Sequence, residues 1–314
     1  MNGIELAEAF YNEYGAPMIK KEFPEYENII AIGVAGSGSE CFGYDDEISR
    51  DHDFEAGFCM FIPGEEIVDR RTAFLLERAY AKLPKEYMGI KRPMLDPVGG
   101  GRRGVIRISD FYMSKTGFAD GNLTMGAWFS VPEYSLAEAV NGKVFRDDIV
   151  FFSDIRKALM HFPEDVRLKK LAGELLIMGQ SGQYNYTRCM KRNESGAAQL
   201  ALNEFVNSAM HTVFLINKKY MPYYKWSFRA MKELPLLSEL SLGLEYLISS
   251  DNCPENYAKK CGIIEDTAEK VIMALQKEGI CSSSVGNESE KAAYSVNDSI
   301  ADGNIRNKHI LYAV

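Results

Sequence analysis

The spacing of apolar and polar positions divides the chain into a half with strands and a half without them. Residues 3–15 alternate at helical spacing, and the apolar run "IIAIGVA" at 29–35 is typical of a buried strand. "HDFEAGFCMFI" and "VIRISDFY" predict two further strands, with an amphipathic helix in "GEEIVDRRTAFLLERAYAKL" between them. Strands joined through helices predict an α/β sheet in the N-terminal half.

Long helical patterns replace the strands in the second half. Pro163 opens the first, "VRLKKLAGELLIMGQSGQYNYTRCMKR", because proline suits the first turn of a helix. "AAQLALNEFVNSAMHTVFLINKKY", "LPLLSELSLGLEYLIS" and "TAEKVIMALQKEG" predict three more helices, whereas the polar stretch "CSSSVGNESEKAAYSVNDSIADG" predicts a mobile excursion. We therefore predict an α+β protein with an α/β domain at 1–150 and an all-helical domain at 151–314.

Composition and charge exclude several classes of protein. The 314 residues suffice for two domains, and 36 basic against 44 acidic side chains give a net charge of −8, which argues against a general nucleic-acid binder. The six cysteines form no CxxC pair, so zinc and a disulfide framework are not expected and a reducing, cytoplasmic setting is favoured. Residues 1–13 lack the apolar core of a signal peptide, and no apolar run approaches the roughly 20 residues of a membrane span.

The candidate chemistry lies in "GVAGSGSECFGYDDEISRDHDFEAGF". Asp51, Asp53 and Glu55 stand two residues apart on a predicted strand and would share one face. Carboxylates crowded in this way repel each other unless a divalent cation lies between them, and Mg²⁺ keeps coordination places for phosphate oxygens. The preceding Gly36-Ser37 turn offers backbone N–H groups to a phosphate. This pattern favours a site for metal-assisted phosphoryl or nucleotidyl transfer.

Other interpretations of the same residues fit less well. A surface loop with a chance Asp-x-Asp would not require a glycine turn directly after a buried strand. A dinucleotide fingerprint requires glycine where Cys41 stands, and the Gly-Lys-Ser/Thr of a P-loop is absent. His52, between the two aspartates, would point to the opposite face of the strand and is expected to be structural.

The order of Gly-Ser, a loop and Asp-x-Asp resembles the DNA polymerase β-like nucleotidyltransferase superfamily, which includes kanamycin nucleotidyltransferase and the MNT proteins. "GSGSECFGYDDEISRDHDF", "GQYNYTRCMKRNE" and "YMPYYKW" resemble more narrowly the DUF4037 family. The resemblance implies a small nucleotidyltransferase-type mixed sheet followed by a helical bundle. It also implies that Gly36 and Ser37 hold the phosphates of an NTP and that Asp51 and Asp53 bind Mg²⁺ or Mn²⁺. Ser39, on the same turn, is a further candidate for nucleotide binding.

One departure from the superfamily affects the expected activity. A third acid often stands on a later strand there, whereas the central inward position of "GVIRISDFY" is Arg107. Glu55 and Asp110 are the candidates to replace it. A site without a third acid fits binding without two-metal catalysis.

The second half contributes candidate phosphate and base contacts. Gln180, Tyr184, Arg188 and Arg192 recur every four residues and predict one polar stripe on a helix. The two arginines would bind phosphates, or alternatively pair with Glu194 or Glu204 on a solvated face. In "YMPYYKW", the aromatic residues and Lys225 would hold a base and a phosphate, or form an apolar joint with a snorkelling lysine.

Three further groups are expected to be structural. "GGGRRG" at 99–104 is interpreted as a flexible hairpin linker rather than a phosphate-binding loop, and His211 as a satisfied core histidine. Arg167, Lys169 and Lys170 are interpreted as a solvated helix face.

The leading hypothesis is a nucleotidyltransferase that moves a nucleoside monophosphate from an NTP to a small acceptor hydroxyl or amine. Its cofactor would be Mg²⁺, its general base a glutamate such as Glu194, and a nucleic-acid or membrane partner is not expected. The alternatives are a catalytically inactive nucleotide-binding or regulatory module, and an antitoxin-like partner of another protein, on the same fold.

Overall fold

The computed structural model describes residues 1–48, 55–92 and 102–314. Its contacts divide the chain into two compact units. The first unit contains Met1–Ala127 and Ser135–Met160, and the helical unit contains Trp128–Tyr134 and His161–Val314. The division falls near residue 160 instead of 150, and residues 128–134 group with the helical unit.

The first unit contains a small mixed sheet. Its strands are β1 (Ala31–Val34), β2 (Cys59–Ile62), β3 (Glu86–Tyr87), β4 (Ile90–Lys91), β5 (Gly104–Arg107) and β6 (Lys143–Arg146). Four of them form one sheet in the order β5-β2-β1-β6, and β3 pairs with β4 in a separate hairpin. β1 is antiparallel to β2 and β6, whereas β2 is parallel to β5. The predicted α+β class with a small mixed sheet is confirmed.

Helices cover the sheet residues and bury β1 and β2 completely. The ring of Phe58, just before β2, lies 6.1 Å from Phe10 and 5.0 Å from Tyr80, measured between ring centroids. This aromatic packing fixes the strand that follows. The first seven α-helices in chain order are α1 (Gly3–Phe10), α2 (Ala16–Glu22), α3 (Arg70–Lys82), α4 (Ile108–Thr116), α5 (Met125–Ser130), α6 (Glu133–Val140) and α7 (Phe151–Ala158).

The third predicted strand is only partly a strand. "VIRISDFY" divides at Arg107, where β5 ends and α4 begins. Ile108, Phe111 and Tyr112 are buried at the i, i+3 and i+4 spacing of a helix, so the apolar pattern changes its period within this stretch. Asp110 consequently lies exposed on the first turn of α4 and not on a strand.

The helical unit, all of whose residues are described, contains no strand. Its longest predicted helix is continuous: α8 (Glu164–Met178) passes through a π-helical segment, Gly179–Tyr186, into α9 (Thr187–Lys191). The other helices are α10 (Ser195–Ile216), α11 (Tyr224–Lys232), α12 (Leu240–Ser249), α13 (Pro254–Glu278), α14 (Ser289–Asp298) and α15 (Gly303–Arg306). Within the described ranges, no helix combines the length and apolar composition needed to cross a membrane.

The basic cluster at the start of α8 is buried, so its interpretation as a solvated face is wrong. Arg167 donates to Glu278 on α13 at 2.6 Å and to Glu164, and it is 2% exposed. Lys169 donates to Asn297 on α14 at 2.8 Å. α8 packs against α10 and α14, and each buried charge is compensated by a partner far along the chain.

The polar stretch near the C-terminus is also ordered. α14 lies within it and buries Ala292, Ala293 and Val296. These three residues have the i, i+1 and i+4 spacing of one helix face, which packs on α8. The prediction of a mobile excursion is wrong because a narrow alanine face suffices for close helix packing.

Candidate nucleotide-binding turn

Gly36 and Gly38 form a tight turn directly after β1. Their φ angles are 102° and 129°, a region that glycine adopts without steric cost. Asn141 holds the turn: its Oδ1 accepts from the N–H of Gly36 at 2.8 Å, and its Nδ2 donates to the carbonyl of Gly36 at 2.8 Å. A Cβ at Gly38 would lie 1.9 Å from a terminal nitrogen of Arg102, so a larger residue does not fit there without movement. The turn is thus fixed by two side chains far away in sequence.

The Ser37 hydroxyl lies on this turn beside an opposite-charge pair. Ser37 Oγ donates to Glu138 Oε2 at 2.8 Å, and Lys115 Nζ donates to the same oxygen at 2.5 Å and to Ser37 Oγ at 3.0 Å. The side chains of Lys115 and Glu138 are 16% and 20% exposed. A hydroxyl and an ammonium group therefore converge on one anionic oxygen, as binding of a phosphate oxygen also requires.

Sequence reasoning did not single out Lys115 or Glu138. They lie 78 and 101 residues from Ser37, and no local pattern marks either of them. Lys115 lies in the last turn of α4 and Glu138 lies in α6, and only the tertiary packing of these helices brings the two side chains together. These residues extend the candidate site beyond Gly36 and Ser37.

Two arginines contact Ser37 in the turn and Glu40 just after it. Arg102 donates to the carbonyl of Ser37 at 2.8 Å and to Glu40 at 2.6 Å, and Arg103 donates to the same carboxylate oxygen of Glu40. Glu40 and Arg103 are 6% and 5% exposed. The interpretation of 99–104 as a flexible linker is therefore wrong for its described residues 102–104, because they hold a buried ion pair and begin β5.

Ser39 has a backbone role in the same turn. Its carbonyl accepts from the N–H groups of Phe42 at 3.1 Å and Tyr44 at 2.8 Å. This closes a 3-10 turn, Glu40–Phe42, and its side chain is half-buried. The contribution of Ser39 to nucleotide binding stays a prediction.

The two predicted metal-binding residues, Asp51 and Asp53, lie outside the described residues, as does His52. The described chain resumes at Glu55, and residues 55–58 are irregular, with β2 beginning only at Cys59. Burial raises the pKa of Glu55, while Arg103, Arg92 and Arg102 offset part of that effect. In the described ranges no three His, Cys, Asp or Glu side chains are grouped to hold a metal ion.

The candidates for a third acid do not lie where the superfamily pattern would place one. Asp110 is exposed on α4, and Glu55 precedes β2. Arg107, at the end of β5, donates to the carbonyls of Pro63 at 2.8 Å and Val68 at 3.1 Å and so has a structural role.

Comparison with known families adds one finding. Residues 128–227 match the family model of DUF4037, a domain of unknown function. The match supports the family that the sequence motifs indicate. Searches of curated proteins and of solved structures returned no match.

Residues 128–227, which match the DUF4037 model, are called the DUF4037 segment below. The predicted polar stripe lies within this segment and is exposed. Gln180, Tyr184, Arg188 and Arg192 are all accessible, and the guanidinium carbon of Arg188 lies 4.7 Å from the centroid of the Tyr184 ring. Arg188 also donates to the Tyr184 hydroxyl at 2.6 Å. In the fully described helical unit, neither arginine forms an ion pair with an acidic side chain.

Lys225 lies in the same DUF4037 segment, on the first turn of α11. Its side chain is exposed, and its Nζ lies 5.1 Å from the centroid of the Trp226 ring. Tyr223 and Tyr224 precede it with ring centroids 4.4 Å apart, and both are exposed. Tyr223 and Tyr224 of "YMPYYKW" thus remain accessible to a ligand, whereas Tyr220, Met221 and Pro222 are buried.

Proposed function

We propose that the protein transfers a nucleoside monophosphate from an NTP to a small acceptor hydroxyl or amine. The observation that carries the proposal is the convergence of the Ser37 hydroxyl and the Lys115 ammonium on one anionic oxygen beside the glycine turn. Glu138 supplies that oxygen, so its carboxylate stands in for a phosphate oxygen. A triphosphate would displace Glu138 and keep both donors.

The remaining roles follow from the charge of the substrate. Asp51 and Asp53 would hold Mg²⁺, which when bound neutralises phosphate charge and polarises the phosphoryl group. The hydroxyl and backbone N–H of Ser37 would orient the triphosphate and Lys115 would balance its charge, whereas the N–H of Gly36 already donates to Asn141. Positioning and neutralisation are the main tasks of a protein in this chemistry.

A second candidate function is nucleotide binding without turnover. The observation that favours it is β5, whose residues Gly104–Arg107 include no acid and whose Arg107 is engaged with backbone carbonyls. Such a module would bind Mg-NTP at the same turn and respond to its concentration.

Calorimetry with each of the four NTPs and Mg²⁺, joined to an assay of pyrophosphate release, distinguishes the two candidates. The acceptors tested are water and the small-molecule fraction of a cell extract. We expect binding of at least one NTP and release that requires Mg²⁺. Binding with no release under any acceptor would favour the module, and failure of every NTP to bind would contradict both functions.

Changes on the turn should weaken binding of the nucleotide. Ser37→Trp fills the space beside the turn, and we expect it to abolish Mg-NTP binding. Lys115→Ala removes one charged hydrogen bond, worth about 1.5–3 kcal/mol, and should weaken binding at least tenfold. The matched control is Lys82→Ala, which removes an exposed lysine from the end of α3. Unchanged affinity in both turn variants would place the nucleotide elsewhere.

The stripe on the helical unit offers a separate prediction. A Mg-bound triphosphate still carries negative charge, and the planar guanidinium group suits phosphate oxygens. Arg188→Ala or Arg192→Ala should therefore weaken NTP binding by about 1–3 kcal/mol and flatten its salt dependence. Calorimetry at two salt concentrations measures both effects, with Lys191→Ala as the control on the neighbouring exposed position. Affinities equal to that of the wild type would show that these two arginines do not bind the nucleotide.

A further inference from the structure

A cavity of about 540 Å³ lies within the helical unit and contains four buried or half-buried ionisable side chains. Glu133 stands at the start of α6, Lys170 and Glu174 on α8, and His211 on α10. Glu133, Lys170 and Glu174 are 8%, 7% and 7% exposed. Such a group of charges is costly to bury, and it opens here onto space that a small molecule can enter.

Three of the four ionisable groups contact each other. Glu133 accepts from the N–H of Met221 at 3.2 Å, and its carboxylate lies 3.4 Å from Nδ1 of His211 and 4.0 Å from Nζ of Lys170. Lys170 also donates to the carbonyl of Ala313 at 3.2 Å. The predicted core histidine is thus a partner of a buried acid beside a cavity. Both cationic groups thus have Glu133 as their ion-pair partner.

Glu174 is the group without an ion-pair partner of its own. No basic side chain of the fully described helical unit lies within 4.0 Å of its carboxylate, which lines the cavity. Burial raises its pKa to about 7, an effect that His211, a hydrogen bond from Ser208 and Lys170 only partly offset. Near neutral pH this carboxyl group therefore changes between a neutral and a charged form, and its charged form has no ion-pair partner within 4.0 Å in the helical unit.

Aromatic rings line the same cavity. The ring centroids of Tyr134 and Tyr223 are 5.9 Å apart, and those of Tyr223 and Tyr224 are 4.4 Å apart. All three side chains are roughly half exposed or more, so their faces are open to a ligand. The faces of aromatic rings attract cations. Glu204, which also lines the cavity, adds a further acid and no compensating base.

We propose that this cavity binds a small organic cation with a primary ammonium group, with Glu174 as the countercharge and the three tyrosines against the body of the ligand. The four ionisable groups and the tyrosines all lie in the segment that matches DUF4037. The inference stands independently of nucleotidyl transfer, because it concerns the helical unit alone.

The titratable groups around Glu174 determine how binding depends on pH. Burial opposes protonation of His211, but Glu133 and Glu174 outweigh it and raise the pKa of His211. Burial also opposes ionisation of Glu133, yet His211 and Lys170 outweigh it and lower the pKa of Glu133. Raising the pH from 6 to 8 therefore ionises Glu174, and its negative charge favours binding of a cation. The other titratable groups that line the cavity, together with Tyr220, which interacts with Glu133, are Glu133, Tyr134, Lys170, Glu204, His211, Tyr220, Tyr223 and Tyr224.

The test is titration calorimetry of the full chain without nucleotide or Mg²⁺. The probes are tyramine, ethanolamine and spermidine, and tyrosol is the neutral analogue of tyramine. We expect at least one amine to bind, more tightly at pH 8 than at pH 6, and tyramine at least tenfold more tightly than tyrosol. Glu174→Gln should weaken amine binding at least tenfold and remove its pH dependence. The control Glu269→Gln, at an exposed acid on α13, should bind as the wild type does.

Three outcomes would overturn the proposal. They are no binding of any of the three amines at millimolar concentration, equal affinity for tyrosol and tyramine, or unchanged amine binding in Glu174→Gln. Thermal unfolding checks that Glu174→Gln folds, which we expect because an amide removes a buried charge. Since no nucleotide is present, failure here would leave the proposed function of the first unit untouched.

Discussion

Asp51→Asn and Asp53→Asn are each expected to abolish Mg-dependent NTP turnover while leaving the fold intact. Each change removes one carboxylate charge at nearly constant shape. A metal-bound triphosphate depends on those charges both for affinity and for correct orientation, so losses of 100-fold or more in pyrophosphate release are expected, equivalent to about 2.7 kcal/mol. The two residues lie two positions apart in sequence, and the prediction is that both act on one metal site.

A matched control distinguishes this role from a general effect of removing an acid from this part of the sequence. Glu47→Gln removes an exposed acid from the same stretch of chain and should leave binding unchanged. Calorimetry with Mg-NTP, with and without EDTA, measures affinity for the three variants, and circular dichroism checks the fold. If both aspartate variants bind Mg-NTP as tightly as the wild type, the assigned metal site is wrong.

The sequence was informative where one local pattern determined the structure. The apolar run before Gly36 predicts a buried strand and a turn, and both are present because glycine alone tolerates the φ angles found there. The continuous helix through α8 and α9 was likewise predicted from periodicity, although the π-helical segment inside it was not. The local spacing of apolar residues was sufficient to predict this strand and this helix.

Prediction failed where the deciding partners are distant. Arg167, Lys169 and Lys170 look like a solvated cluster because Glu278, Asn297 and the carbonyl of Ala313, to which they donate, lie more than 100 residues away. The same reason hid Lys115 and Glu138 from the candidate site. A buried charged residue cannot be recognised from the sequence alone, because only a partner that is close in the folded structure offsets the cost of its desolvation.

The prediction of a strand over residues 105–112 was partly wrong for a different reason. Valine and isoleucine in "VIRI" favour a strand, and the pattern of a helix begins within the same stretch. Tertiary contacts decide the boundary: Phe111 packs against Phe61 of β2 with ring centroids 5.2 Å apart, which requires the helical path from Ile108 onward.

The buried ion pair behind the glycine turn should be important for stability. Glu40→Gln leaves Arg103 charged, 5% exposed and without its carboxylate partner. Breaking a buried pair by removing one partner costs about 3–5 kcal/mol, and we expect the lower end because the amide oxygen of glutamine still accepts a hydrogen bond. The double variant Glu40→Gln/Arg103→Met should recover part of this loss, since it removes the stranded charge as well.

Urea unfolding followed by circular dichroism measures these free energies. The control is Glu65→Gln, which breaks the exposed pair with Arg70 and should cost less than about 1 kcal/mol. Both tryptophans, Trp128 and Trp226, lie in the helical unit, so tryptophan fluorescence shows whether that unit unfolds with the first or separately. A loss in Glu40→Gln no larger than in the control would mean that the backbone carbonyl of Arg102, which accepts from Arg103 at 3.0 Å, and the surrounding dipoles stabilise Arg103 without Glu40. Because Arg102 joins Glu40 to the carbonyl of Ser37, a real loss should also weaken nucleotide binding at the turn.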